Sequence, residues 1–207
     1  MPPSPLECGF WETVMNVTRV VPALFSAFAL LAAPAAAAEK KPVLDQFTGT
    51  LVTTTGPTAR GLGDPVTIWI DEYTTDDVAQ SLVKTLADGG QIALRDALQN
   101  HHVGRFRVGT GTSYPLSVAR QRVAADGRVI LLATNNPIGG FQVDPGLRAK
   151  DYPIGFIELK LKADGTGEGT IVAMAKVSFD ENKNLSIASY GTQPSRLTDV
   201  ETVKRKK

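Results

Sequence analysis

Asp151 to Phe179 reads DYPIGFIELKLKADGTGEGTIVAMAKVSF, and the spacing of its apolar residues decides the fold. Ile157, Leu159 and Leu161 alternate with Glu158, Lys160 and Lys162; beyond the turn, Ile171, Ala173, Ala175, Val177 and Phe179 keep the same period of two. That period puts successive side chains on opposite faces of a strand, so each arm has one face to bury. Between the arms, Asp164-Gly165-Thr166-Gly167-Glu168-Gly169 contains three glycines and an Asp-Gly pair, which supply the positive φ angles of a hairpin loop. Both apolar sets fall on odd positions, and opposed residues share a face, so the spacing predicts an odd-numbered or bulged loop. The result is a long hairpin at the centre of a sheet. Nothing in it has the pattern of an activated nucleophile, a metal cage or a phosphate cradle, so it speaks to fold and not to activity.

Upstream, the chain opens with the pattern of an export signal. After Met15 come one positive charge, Arg19, the mostly apolar run Val20 to Ala33, then Pro34 and Ala35-Ala36-Ala37-Ala38. Ala36-x-Ala38 is the small-residue pattern of a cleavage site, and cleavage is expected after Ala38, with residues 1–14 read as a start-site artefact. The run is shorter than the ~20 apolar residues of a membrane helix and contains Pro22, so no span is expected after cleavage. The mature protein is then residues 39–207, one α+β domain in the periplasm or secreted. Its core must hold it without a disulfide, because the only cysteine is Cys8. Over the whole sequence 22 Lys and Arg face 21 Asp and Glu, a balance that gives no electrostatic footprint for nucleic acid.

Strands are expected over Phe47–Thr55 and over Val66–Ile70, which holds Trp69. The period then changes to that of a helix. Thr74-Thr75-Asp76-Asp77 reads as a cap with early acids, and Val78, Leu82 and Leu86 form an apolar stripe. Gly89-Gly90 is expected to stop this helix, with Gln91–Leu98 forming a second one, so a helical hairpin is inserted between strands two and three. Strand signals resume at Arg105–Val108, then at Leu116–Val123 and Val129–Thr134 around the Asp126-Gly127 turn. Val129 to Ala133 is apolar on both faces and calls for a cover on each, which the helices supply. Asn135–Tyr152 is a long irregular loop, and Leu185–Tyr190 and Leu197–Val203 close the count at eight or nine strands. The fold class is α+β: a mainly antiparallel sheet, curved or partly closed into a barrel, with the helices across one side or end.

Few residues carry chemistry. His101 and His102 are adjacent and point apart on any regular backbone, so no metal site is expected and no cofactor pattern is present. Arg105 and Arg107 share one strand face, and Arg120 and Arg122 share another; if their strands are neighbours, four guanidiniums line a patch fit for a carboxylate or phosphate. The alternative is a solvated outer face with acids such as Glu158 interleaved. The long loop offers Arg148, Asp151 and Tyr152 beside Glu158 as a polar ligand site, with Asp151 and Glu158 as a remote candidate for a hydrolytic carboxylate pair.

The order Asn136-Pro137-Ile138-Gly139, Asp151-Tyr152-Pro153, Phe156-Ile157-Glu158-Leu159, Gly167-Glu168-Gly169 and Tyr190-Gly191-Thr192-Gln193-Pro194 resembles a family of exported bacterial proteins of unknown function. The resemblance implies no activity and no site residues. Three function classes stay open: a periplasmic small-ligand binding or carrier domain, an envelope protein-interaction module, and a carboxylate hydrolase. The expected partners are accordingly a small molecule or an envelope protein, and not nucleic acid.

Overall fold

The computed structural model describes residues 42–52, 63–138, 151–179, 185–189 and 194–204, all within the compact unit Lys40–Lys207. The export signal expected over residues 1–38, most of the long loop with Arg148, and the last three residues lie outside the described residues. Among the described residues ten strands form one antiparallel sheet: β1 (Asp45–Val52), β2 (Asp64–Ile70), β3 (Gly104–Val108), β4 (Ser113–Leu116), β5 (Val118–Ala124), β6 (Gly127–Thr134), β7 (Ile154–Lys162), β8 (Thr166–Phe179), β9 (Leu185–Ser189) and β10 (Ser195–Thr202). Their order is β4-β3-β2-β1-β10-β8-β7-β6-β5, with β9 added to β8.

The quoted hairpin is β7 and β8, near the middle of that order. Ile157 opposes Ile171 and Leu161 opposes Gly167, so Ile157, Leu159 and Leu161 share the inward face with the start of the β8 set at Ile171. Between the strands lie Ala163, Asp164 and Gly165, an odd-numbered loop, with Gly165 at φ 88°. Asp164 fastens it: the backbone N–H of Thr166 (2.8 Å) and then its hydroxyl (2.7 Å) donate to Oδ1 and hold this exposed carboxyl below the usual carboxylate range. Farther along, a bulge shifts the register between Ile154 and Phe156. It moves β8 from one core to another: Ile171 packs inside the sheet, whereas Ala175 and Val177 pack beneath the helix.

The sheet rolls into a nearly closed barrel because β4 and β5 are successive parts of one bent strand. Only Ser117, which is buried, separates them. The first part pairs with β3 and the second with β6; Val103 N donates to Leu116 O (2.9 Å) and Ser117 N to Ala133 O (2.8 Å) across the bend. The segment after β2 seals the same seam. Asp71 N reaches Val103 O (2.8 Å) and Thr74 N reaches Ala119 O (2.8 Å), while Thr74 Oγ1 accepts from Ala119 N (3.0 Å). Closure of this kind leaves few sheet edges. Phe47, Phe106, Ile130, Leu132, Ile157 and Leu159, each 0% exposed, fill the interior.

The expected helical hairpin is replaced by one helix, α1 (Asp76–Leu98), interrupted at Gly90 (φ 71°, ψ −171°). Gly90 alone is non-helical there, which bends the helix; reversing it takes a connecting loop of several residues. Thr75 is the N-cap, its side chain accepting from Val78 N, with Asp76 and Asp77 in the first turn. Leu82, Leu86, Leu94 and Leu98 bury against Ala133, Ile154, Phe156, Ala175 and Val177. This second core covers the outer face of β6–β8, as the two-sided apolar character of β6 requires. Among the described residues no helix is long and apolar enough to cross a membrane.

Candidate functional site

A cleft of about 770 Å³ opens at one end of the barrel, lined by the β5–β6 turn, Arg128, Lys160 to Lys162, Thr166 to Glu168 and Asp199 to Glu201. Two glycines bring its strands unusually close. A Cβ on Gly127 would lie 2.0 Å from Leu161 O, and one on Gly167 would lie 2.0 Å from Lys160 O. Across from them β10 bulges at Thr198-Asp199, where its register against both β1 and β8 shifts. Asp199 takes φ 52°, the only non-glycine residue with positive φ among the described residues. Such a conformation costs ~1–2 kcal/mol, and bulges that re-aim a side chain gather at functional sites.

Arg128 is in phase with Ile130 and Leu132, and Asp45 is in phase with Phe47, so both charges sit on the inward face of their strands. Asp45 Oδ2 accepts from Tyr73 Oη (2.7 Å) and from Arg128 Nη1 (3.0 Å). Arg128 Nη1 also donates to Gln121 Oε1 (3.2 Å), and its guanidinium lies over the Phe47 ring at 5.5 Å. The cluster fixes Arg128 at the cleft by two acceptors and an aromatic face, a preorganised cationic donor. Burial, then the hydrogen bond and charge of Asp45, push the Tyr73 phenol well above its usual range, with Arg128 opposing. Tyr73 is therefore a neutral donor at neutral pH.

A pH dependence follows. Because the folded pKa of Tyr73 is raised, its contribution is fully present below the unfolded value of ~10 and is lost as pH rises from there toward the folded value. Stability should fall by at most about 1.4 kcal/mol per pH unit from this one group, less solvent screening of the half-buried ring. Tyr73→Phe should flatten the decline between about pH 10 and 11.5 in urea titrations. Equal slopes in the two proteins would remove Tyr73 as the source.

None of the described candidate site residues, Arg105, Arg107, Arg120, Arg122, Asp151, Tyr152 and Glu158, lines this cleft. β3 lies between β2 and β4 while β5 pairs with β6, so the two arginine pairs are not on neighbouring strands and the four-arginine patch does not form. Arg105 and Arg107 stack on Trp69 instead, at 4.9 and 5.4 Å. Arg120 joins barrel to helix, with Nη2 2.7 Å from Asp76 Oδ1 and Nη1 donating to Thr74 O (3.0 Å); Arg122 is exposed on the same strand face. Asp151 is exposed, and its backbone carbonyl accepts from Gln91 Nε2 (2.6 Å); Tyr152 beside it is half-buried. Glu158 faces out of the barrel, 3.7 Å from Lys160 Nζ. Its neighbours Glu168 and Arg196, 3.6 Å apart, continue a charged outer face. His101 and His102 follow the end of α1, and among the described residues no three His, Cys, Asp or Glu side chains are grouped to hold a metal.

The signal that finds Arg128 and Asp45 is phase. Each is a charge on the same alternating positions as core residues, a placement that demands a partner when buried. The two-sided apolar run Val129 to Ala133 hides that phase until Ile130 and Leu132 are known to face inward.

No protein-family model, no curated protein and no solved structure matches the chain. The resemblance drawn from residues 136–194 thus has no matched family behind it.

Proposed function

We propose that the protein is an exported binding domain whose barrel-end cleft takes a small polar ligand. The observation that carries this reading is the fixed, inward-facing Arg128 on the wall of a cleft of about 770 Å³. The rest of the barrel is filled with side chains, so the ligand sits at the mouth and not in a lumen. Lys162 on one wall and Asp199 and Glu201 on another give the site both signs of charge, which suits a ligand bearing both. Native mass spectrometry of the product purified from a periplasm, before and after denaturation, should show an extra mass lost on unfolding. The exposed-wall variants Lys162→Glu and Glu201→Lys should weaken binding of the recovered ligand about tenfold with the fold intact. A bare monomer whose melting temperature is unmoved by any charged small molecule would overturn the reading.

A second reading, an envelope protein-interaction module, draws support from β9. Its Leu185 and Ile187 are 46% and 37% exposed, and among the described strands it pairs with β8 alone. An uncharged edge strand of this kind suits strand addition by an extended segment. Periplasmic crosslinking from Ser186 distinguishes the two: a single protein partner captured there supports the module.

A further inference from the structure

We infer that the outer face of β2 and β3 carries an oxyanion site built from Arg105 and Arg107 around Trp69, separate from the barrel-end cleft and independent of it. Trp69 pairs directly with Arg105 across the β2–β3 ladder, and Arg107 is the next outward residue of β3. Both guanidiniums therefore meet one indole, their carbons 4.9 and 5.4 Å from its ring centre. Stacking on an aromatic face orients an arginine while leaving its in-plane N–H groups to donate.

Two cations held side by side repel each other, and an opposite charge on the same face relieves that repulsion. Here the answer is incomplete. Asp71, just past the end of β2, approaches Arg105 with Oδ2 only to 3.8 Å, outside hydrogen-bond distance, and its Oδ1 is buried without a partner. No carboxylate among the described residues pairs with Arg107, whose Nε is shut from solvent without an acceptor. By contrast, Arg95, Arg120 and Arg128 each hold a carboxylate at 3.0 Å or less. A phosphate-type oxyanion bridging the outer N–H groups of Arg105 and Arg107 supplies the missing countercharge, with the indole as a rigid wall. The oxyanion is either free phosphate or the phosphate of a lipid headgroup; both present the same tetrahedral acceptors.

The site contains its own reporter. The chain has two tryptophans, Trp11 and Trp69, so in the full chain carrying Trp11→Phe all indole emission comes from the site. Titration with inorganic phosphate at constant ionic strength should change that emission saturably. Arg107→Gln should weaken the response about tenfold, Arg107→Lys should weaken it less, and Arg122→Gln should leave it unchanged. Vesicles containing phosphatidylglycerol, against phosphatidylcholine alone, separate the sources: an Arg107-dependent response to the anionic vesicles and not to free phosphate places the oxyanion on a lipid, and one to both places it on the anion itself. A response that chloride reproduces, or that Arg107→Gln and wild type share, overturns the site, as does silence in both titrations.

Discussion

Gly127→Ala should destabilise the protein by about 2–6 kcal/mol, the combined cost of backbone strain and overpacking. Gly127 has φ 154°, and the added methyl carbon would sit 2.0 Å from Leu161 O and 2.8 Å from Lys162 C. Those are backbone atoms of the neighbouring strand, so relief requires β6 and β7 to part at the start of their ladder. Gly109→Ala is the matched control. Gly109 also has positive φ (59°), but a methyl group added there would meet nothing within 4 Å, so only the conformational cost of ~1–2 kcal/mol applies. Urea denaturation of both variants gives the comparison. Equal losses would mean that β6 and β7 are not in such close approach.

Phe47→Ala should cost about 3–5 kcal/mol and lower the melting temperature by on the order of 10 °C, as expected for a large-to-small change in a packed interior. Phe47 is 0% exposed in the inner core. Its ring also lies beneath the Arg128 guanidinium, so the variant should loosen the cleft as well as hollow the barrel. Phe47→Leu, which keeps most of the volume but not the aromatic face, should recover most of the stability without restoring any ligand affinity that depends on a fixed Arg128. A variant that loses stability while keeping full affinity would detach Arg128 from binding.

Much of the local structure is legible in the residues. The alternation in β7 and in β8 as far as Ile171, the Asp-Gly turns, the Thr75 cap and the stripe Val78, Leu82, Leu86 reappear at their expected places, whereas the bulge in β8 turns Ala175 and Val177, expected on the face of Ile171, toward the helix. Errors arise where one local signal has two outcomes. Gly89-Gly90 reads as a stop, yet a single positive φ at Gly90 is met by a break within one helix whose Leu94 and Leu98 continue onto the same core. Ser113 to Leu116 gives no alternation worth a strand, and Pro115 argues against one; it pairs with β3 because the bend at Ser117 delivers it there. The terminal strand β10, expected over Leu197–Val203, pairs with both β1 and β8 and so joins strands from opposite ends of the folded chain.

Residues a few positions apart are enough to settle most of the elements, the β7–β8 register and the parity of its loop, because backbone period and turn chemistry set their geometry locally. Barrel closure, the separation of the arginine pairs and the Asp45–Tyr73–Arg128 cluster come from the folded chain alone. Asp45 and Arg128 are 83 residues apart and Asp45 and Tyr73 are 28 apart, and no local pattern encodes which distant strands meet. That choice follows from how a whole set of inward faces packs at once, and it is what turns a charge in phase with the core from a liability into a fixed donor at the mouth of the barrel.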